Sequence, residues 1–196
     1  MTWLEPLTLE NEFARLVPLA QDHADDLKAA AADGALWELW YTSVPSPEAL
    51  AGDIKKKHEM QAAGSMLPFA VFVPGNSRAV GVTTYMNVDA ANKRVEIGST
   101  WYAKSVQRSA LNTNCKYLLL RHAFKTLGCN AVELRTHFMN RQSRAAIERL
   151  GAQLDGVLRN HMIMPNGTLR DTAVYSILSN EWPAVAANLE HRMGRS

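Results

Sequence analysis

The chain has 196 residues and a mass of 21.7 kDa, which corresponds to one domain of ordinary size. Apolar residues make up 47% of the sequence and charged residues 20%, so intrinsic disorder and collagen-like structure are excluded. The 21 basic residues against 19 acidic ones give a net charge of +2, too balanced to indicate a nucleic-acid-binding protein. Cys115 and Cys129 form no CxxC pair, and two free thiols favour a cytoplasmic protein. We expect neither a signal peptide nor a membrane-spanning segment.

The N-terminal third of the chain predicts one strand and two helices. A short β-like run at 13–17 ends at Pro18, and an alanine-rich helix follows at 21–32. Ser46 is suited to cap a second helix that begins at Pro47 and runs to about residue 63. The segment between these helices is irregular and rich in aromatic residues.

Three β-like stretches come next, and turn residues separate them. The strands are predicted at 69–73, 79–88 and 94–102. Proline, glycine and asparagine at 74–76 form the first break, and polar residues at 89–93 form the second. This pattern predicts an antiparallel meander.

A long helix at 109–127 is the clearest element of the sequence. Its apolar residues recur at helical spacing and form one stripe, and Gly128 follows as a cap. The stripe consists of Leu111, Cys115, Leu118, Leu119, Ala123 and Leu127. This face of the helix is therefore predicted to lie against the sheet.

The C-terminal part alternates strands and helices. At 131–138 the apolar Val132, Leu134, Thr136 and Phe138 alternate with Glu133, Arg135 and His137, which predicts a half-buried strand. The other predicted elements are a helix at 140–150, strands at 156–164 and 169–178 around the turn at 165–167, and a short helix from 181.

The predicted order is βααβββαβαββ. It indicates a mixed α/β (α+β) fold with a central mixed, mostly antiparallel sheet that is parallel only in its second half. No segment has the composition of a linker, so we expect one domain over residues 1–196.

Two strand-to-helix junctions are the candidate site. The strand at 94–102 leads to a helix beginning near Ser109, and the strand at 131–138 leads to one beginning at Asn140. The beginning of a helix leaves backbone N–H groups without partners and binds phosphate. If the two strands are parallel neighbours, both helices begin at the same sheet edge. Ser109 and Asn140 are equally well explained as ordinary helix caps.

Other catalytic signatures are absent. The sequence has no GxGxxG, GxxxxGK[ST], GxSxG or HExxH motif. The six histidines are scattered, and for His122, His137 and His161 a structural position is favoured over a site role.

Several weak motifs in order and at characteristic spacing resemble the GNAT superfamily of acetyl-CoA-dependent N-acetyltransferases, in particular its RimJ/RimL-like branch. The resemblance runs from about residue 13 to 183. It rests on the segments at 96–98, 101–102, 107–112, 140–152, 155–159, 170–172, 175–178 and 181–183. One departure is clear: the phosphate loop of the family usually carries glycines where this chain has Ala110 and Asn112.

The resemblance implies acetyl-CoA as the cofactor and no metal. Its pantetheine arm would lie between the splayed strands and pair with backbone groups of Thr100, Trp101 and Tyr102. Asn140 would bond this arm, Ser143 would face the sulfur, and Arg108 or Arg144 would meet the nucleotide phosphates. The pyrophosphate loop would consist of Gln107, Arg108, Ser109, Ala110, Leu111 and Asn112.

The implied reaction is direct attack of an amine on acetyl-CoA in a ternary complex. Glu96 is the candidate base, with an ion pair to Arg94 or to a neighbouring strand as its structural alternative. Ser143 is the candidate donor to the departing thiolate, and backbone N–H groups near Trp101 would polarise the carbonyl.

The acceptor site is predicted from two segments. Trp37, Trp40 and Tyr41 would form its wall, although helix packing explains them equally well. Arg159 and Asp171 on the terminal hairpin would contact the acceptor, or would pair with each other across the strands.

The sequence therefore predicts an N-acetyltransferase that acts on a protein N-terminus, an amino acid or a small amine. The alternative is a CoA-binding sensor or interaction module without turnover, motivated by Ala110 and Asn112. We expect no nucleic-acid or membrane partner, and both a monomer and a homo-oligomer remain open.

Overall fold

A computed structural model describes residues 3–194, so residues 1–2 and 195–196 of the predicted domain lie outside the described part. The strands are β1 (Leu9–Glu10), β2 (Arg15–Pro18), β3 (Met66–Phe72), β4 (Ala79–Asp89), β5 (Arg94–Tyr102), β6 (Ala131–His137), β7 (Gln153–Ile163) and β8 (Leu169–Leu178). The helices are α1 (Ala24–Ala32), α2 (Leu50–Ala62), α3 (Leu111–Lys125), α4 (Arg141–Leu150) and α5 (Trp182–Arg192). All of these strands form one sheet with the order β1-β2-β3-β4-β5-β6-β8-β7.

The predicted mixed α/β fold is confirmed. The sheet is antiparallel throughout except where β5 pairs with β6 in parallel. The sequence missed only the two-residue β1, which is too short to carry a pattern, and left the tail helix, α5, without an end.

Several predicted boundaries are wrong, including the start of β7 at Gln153 and not at residue 156, and two of the differences have identifiable reasons. β3 begins at Met66, three residues before the prediction, although Pro68 lies within it. The Pro68 carbonyl accepts from Leu19 N–H just beyond the end of β2, so the missing N–H of the proline also faces that side and leaves the β4 ladder intact. α2 begins at Leu50 and not at Pro47, because the Ala49 N–H first closes a tight turn onto the Ser46 carbonyl.

The sheet separates two layers of helices. On its first face, α3, α4 and α5 bury apolar side chains against the sheet, and the predicted α3 stripe is confirmed: Leu111, Cys115, Leu118, Leu119 and Ala123 are buried and Leu127 packs at the edge of the cluster. On its second face, α1 and α2 cover β2 to β5. Among residues 3–194, the second-face cluster contains no residue of β6, β7 or β8, and β7 is largely exposed, so this part of the second face is open.

Candidate functional site

The parallel strands β5 and β6 form a fork. They pair only from Arg94 with Ala131 to Glu96 with Glu133. Beyond this point β5 continues beside β4 and β6 continues beside β8, so the two strands part. The predicted splay is thus confirmed, and Glu96 lies at its vertex.

A bulge reorients β5 inside the fork. Thr84 pairs with Gly98 and Val82 with Trp101, so two residues of β5 stand opposite one of β4. Ser99, with a φ of 46°, absorbs the extra residue. As a result Gly98 and Trp101 share the second face, whereas the Thr100 hydroxyl bonds Lys116 of α3 on the first face.

Gly98 provides the space that Glu96 occupies. A Cβ atom at this glycine would lie 2.9 Å from Glu96 Oε1 and 2.6 Å from Met86 Sδ. Both distances are shorter than any normal contact, so a larger residue would displace the carboxylate.

Glu96 is buried but not isolated, with 5% of its surface exposed. Asn87 Nδ2 donates to its Oε2 at 2.7 Å, and Arg135 Nε lies 3.4 Å from the same oxygen. Burial raises the pKa of Glu96, and the nearby Glu133 adds to this, while Asn87, Arg135 and Arg170 oppose it. A carboxyl group with a raised pKa is a suitable proton acceptor near neutral pH.

The ion pair expected between Glu96 and Arg94 is absent among the described residues. Arg94 Nη2 instead contacts Glu133 Oε1 at 2.5 Å, because Glu133 is its close neighbour across the parallel ladder. The pairing with a neighbouring strand is present through Arg135, which also bonds Glu133 Oε2 at 2.7 Å. The two roles of Glu96, ion-pair partner and base, are therefore not exclusive.

The first predicted helix beginning lies at the surface of the protein. Arg108, Ser109 and Ala110 are exposed just before α3. The Ser109 hydroxyl donates to the Val106 carbonyl and accepts from Leu111 N–H, so it caps the helix as the alternative interpretation states. Gln107 Nε2 donates to the Tyr102 carbonyl at 2.9 Å and ties this loop to the end of β5.

The replacement of the family's glycines has no conformational consequence here. Ala110 has a φ of −66° and a ψ of −15°, which any residue adopts, and Asn112 lies within α3. The residue with a left-handed conformation is Arg108, at a φ of 60°. The loop therefore does not require glycine at 110 or 112.

The second helix beginning is capped by a side chain. Asn140 Oδ1 accepts from Ser143 N–H at 3.0 Å, which confirms its structural role as a cap. Its amide nitrogen makes no hydrogen bond within residues 3–194, nor does the half-buried Ser143 hydroxyl. Both groups are thus available to a ligand.

Arg144 is held by the protein itself. Its Nε donates to Tyr175 Oη at 2.9 Å, and its guanidinium lies 4.5 Å from the centre of the Phe138 ring. These contacts compete with the predicted contact to a nucleotide phosphate, which stays a prediction.

The aromatic segment between α1 and α2 crosses the second face beside the fork. The ring centre of Trp40 lies 5.1 Å from that of His137 at the end of β6, and 5.6 Å from Tyr41. Trp37 packs against the second-face cluster that contains Trp101. The structure thus brings the predicted acceptor wall to the fork.

The terminal hairpin forms the predicted cross-strand pair. Arg159 Nε contacts Asp171 Oδ2 at 2.6 Å, and the other oxygen of Asp171 accepts from Asn160 N–H. These contacts give Arg159 and Asp171 a structural explanation, and their role toward an acceptor stays a prediction.

His137 was underestimated from the sequence. Its alternation predicts Phe138 inside and His137 outside, but Phe138 is 37% exposed and His137 only 4%. His137 keeps the second-face direction of Glu133 and Arg135 and is buried there beside the Trp40 ring, whereas Phe138 lies beyond the end of β6. The stripe of Glu133, Arg135 and His137 on one strand face was the available signal.

Lys116 is a second residue that sequence reasoning missed. It is buried on α3, and its Nζ donates to Thr100 Oγ1 at 2.7 Å. Burial lowers its pKa to about 8. Helical spacing alone places it beside the apolar stripe and could not reveal a partner 16 residues away.

The open part of the second face forms a groove of about 540 Å³ next to the fork. Its lining includes Arg94, Glu133, Arg135, Val174 and Ser176. Within the described residues, no group of three His, Cys, Asp or Glu side chains is arranged to hold a metal. No helix between residues 3 and 194 is long and apolar enough to span a membrane.

A sheet with one parallel fork, a buried carboxyl group at the vertex and two helix beginnings beside it is the arrangement that the resemblance to acetyl-CoA-dependent transferases implies. A family model for the acetyltransferase (GNAT) domain matches residues 14–153. The chain therefore belongs to the GNAT acetyltransferase family, the acetyl-CoA-dependent N-acetyltransferases that its sequence resembles.

Individual relatives agree with this assignment. A protein of Bacillus subtilis (strain 168) named "Putative ribosomal N-acetyltransferase YdaF" is 33% identical over 102 residues, 52% of this chain and 55% of that protein. The match thus spans about half the length of this curated relative. A GCN5-related N-acetyltransferase from Brucella melitensis is 30% identical with a TM-score of 0.85, covering 96% of this chain and 86% of that one.

A third relative shares the fold at low identity. RimL, a ribosomal L7/L12 alpha-N-protein acetyltransferase solved in complex with coenzyme A, has a TM-score of 0.75 and 17% identity, covering 88% of this chain and 98% of its own. This similarity shows that the two proteins share one fold, and the RimJ/RimL-like branch stays a prediction.

Proposed function

We propose that this enzyme transfers the acetyl group of acetyl-CoA to the α-amine of a protein N-terminus, by direct attack within a ternary complex. The observation that carries the proposal is the fork with the buried Glu96 at its vertex. A single catalytic domain would extend beyond the matched residues 14–153, because β7 and β8 complete one arm of the fork.

The residues around the fork fit acetyl-CoA, which when bound supplies an activated thioester. The edge of β5 beyond Glu96 has no strand partner on the β6 side, so backbone groups of residues 100–102 are available to an extended arm. Arg108 to Ala110 are exposed residues just before α3, and the backbone N–H groups of a helix beginning suit a pyrophosphate without a cationic cluster. The free amide nitrogen of Asn140 and the hydroxyl of Ser143 would bond the arm and its sulfur.

Glu96 would act as the base. An ammonium group must lose a proton before its nitrogen can attack, and a carboxylate with a raised pKa accepts that proton directly or through water. Asn87 and Arg135 hold the carboxylate in place. Ser143 Oγ would donate a hydrogen bond to the departing CoA thiolate, on the side of the fork opposite Glu96.

No cysteine is suited to carry an acyl group. Cys115 and Cys129 are both buried, and burial raises the pKa of Cys115 to about 12 and that of Cys129 to about 11. A thiol without thiolate character is a poor nucleophile, which supports a one-step mechanism.

The acceptor class follows from the relatives and the shape of the site. YdaF is named a ribosomal N-acetyltransferase and RimL an alpha-N-protein acetyltransferase. The groove beside the fork is open to solvent and would admit an extended chain end. Modification of ribosomal proteins would place the enzyme in the cytoplasm, where its two free cysteines stay reduced.

The direct experiment mixes the protein with acetyl-CoA and a panel of peptides that carry free α-amines. We expect release of CoA thiol that depends on the peptide, with one added acetyl group by mass spectrometry. The matched control is the same panel with blocked N-termini. CoA binding without amine-dependent thiol release would favour the non-catalytic CoA-binding module.

A further inference from the structure

Two buried N–H groups at the fork have no hydrogen-bond partner among residues 3–194. They are Trp101 Nε1 and His137 Nε2, on side chains that are 6% and 4% exposed. A buried donor without an acceptor is unfavourable, so such groups are rare unless a ligand meets them. Neither donor has a role in the mechanism proposed above.

By register, the two residues that carry these donors are equally far along the opposite arms of the fork. Trp101 lies seven residues beyond Arg94, and the bulge at Ser99 absorbs one of these. His137 lies six residues beyond Ala131, the partner of Arg94. Both side chains belong to the second face, which is also the face of Glu96.

The protonation of His137 follows from its contacts. Its Nδ1 accepts from Met139 N–H at 3.1 Å, so in the neutral ring the proton is on Nε2. The indole of Trp101 is a donor only. The Trp40 ring, 5.1 Å from His137, closes the outer side of this position. The fork therefore offers two N–H donors on its arms and one carboxyl acceptor at its vertex.

We propose that the acceptor is an α-amino-acyl group whose carbonyl oxygen is bound by Trp101 Nε1 and His137 Nε2 while its amine points toward the vertex. Glu96 lies four ladder steps, about 13 Å along the strands, from the two donor residues, so it would accept the proton of the amine through water. This inference rests on the proposed function and specifies how its substrate is recognised. A carbonyl oxygen has two lone pairs and can accept both bonds. An alkylamine or a lysine side chain has no oxygen at that position, so it leaves both donors unsatisfied and is rejected.

The test compares alaninamide with its hydrocarbon isostere, in which an isopropyl group replaces the carboxamide. In the wild-type protein we expect alaninamide to be favoured in kcat/KM, and to bind the CoA-loaded protein about 10-fold more tightly in calorimetry. Trp101→Phe and His137→Leu should each reduce this preference several-fold, and the double variant should abolish it. His137→Gln, which keeps an amide donor, should restore part of it.

The matched control is Trp3→Phe, which removes an indole N–H that donates to Leu127 far from the fork. Its preference between the two acceptors should equal that of the wild type. Equal losses for both acceptors in the fork variants would overturn the inference, as would equal binding of both by the wild type. Binding decides the matter even without turnover, whereas absence of turnover with every amine refutes only the proposed function. Free alanine and an alanine-ended tripeptide would separate amino acids from chain ends as the source of the group.

Discussion

On the first face of the fork the groups available to a ligand are mainly backbone N–H groups, whereas on the second face they are side chains. Arg108, Ser109 and Ala110 are exposed residues at the beginning of α3, where backbone N–H groups have no partners within the helix. Glu96, Trp101 and His137 offer a carboxyl group and two N–H groups, all buried. The cofactor and the acceptor would thus be recognised by different parts of the chain.

This difference would allow the loop with Ala110 and Asn112 to bind phosphate. Backbone groups bind phosphate whatever the side chains are, provided that the conformation is kept, and Ala110 keeps it. A side chain on the second face has no such substitute. We therefore expect substitutions on the second face to have larger effects than substitutions at the helix beginnings.

The largest expected effect is that of Glu96→Gln. The amide keeps the shape and can still bond its neighbours, but it cannot accept a proton. We expect kcat/KM to fall about 100- to 10,000-fold. Because burial raises the pKa of Glu96, wild-type activity should decline as the pH falls through that raised value, and this limb should vanish in the variant. Steady-state thiol release across pH measures both effects.

Glu133→Gln is the control for this prediction. Glu133 is the neighbour of Glu96 across the parallel pair and contacts the same Arg135. Its loss should reduce stability, and the acidic limb should remain but move to lower pH, because the charge of Glu133 adds to the raised pKa of Glu96. If the acidic limb disappears in Glu133→Gln and persists in Glu96→Gln, then Glu133 is the base and Glu96 is not.

The next effect concerns Lys116, a buried charged side chain on the first face of the sheet. Its pKa is lowered to about 8 in the folded protein from 10.5, so between these values the unfolded chain binds more protons and stability increases with pH. Lys116→Met removes this dependence. We compare the unfolding free energies of Lys116→Met and the wild type. The difference, variant minus wild type, should fall by roughly 2–3 kcal/mol from about pH 7 to about pH 10, because only the wild type gains stability over this range. Denaturant titrations of both proteins measure it, and a constant difference would contradict it.

A smaller effect is expected for Ser143→Ala at the beginning of α4. The Ser143 hydroxyl makes no bond within the described protein, and its backbone N–H, which is kept, satisfies Asn140. We expect kcat to fall about 10-fold while CoA binding and stability stay within error. Gln142→Ala, in the same turn but exposed, is the control. Equal kcat values in both variants would remove Ser143 from the mechanism.

The sequence was a good guide to the fold because local patterns carry it. The α3 stripe, the strand alternation and Gly151, which ends α4 at a φ of 104°, are all visible over a few neighbouring residues. The prediction failed where residues that are far apart in the sequence meet in the fold. Pro68 is acceptable only because β2 ends beside it, and no local pattern records that.

The site was predictable to the extent that it follows the strand ends. Glu96 and the two helix beginnings could be located from their order along the chain and their resemblance to the family. His137 could not, because its burial depends on where β6 turns away and on a tryptophan 97 residues earlier in the chain. The two unsatisfied donors likewise become visible only when both arms of the fork are compared.

The smallest expected effect tests the alternative that the protein is a CoA-binding module without turnover. The double variant Ala110→Gly/Asn112→Gly restores the glycines usual in the family. Since Ala110 already has a helical conformation and Asn112 lies inside α3, glycine relieves no strain there. We expect the Kd for CoA in calorimetry to change less than about three-fold, and stability to fall by about 1 kcal/mol because glycine weakens a helix. A much tighter complex together with a gain in turnover would instead show that the natural loop suppresses activity, and the contrast between the two faces would no longer hold.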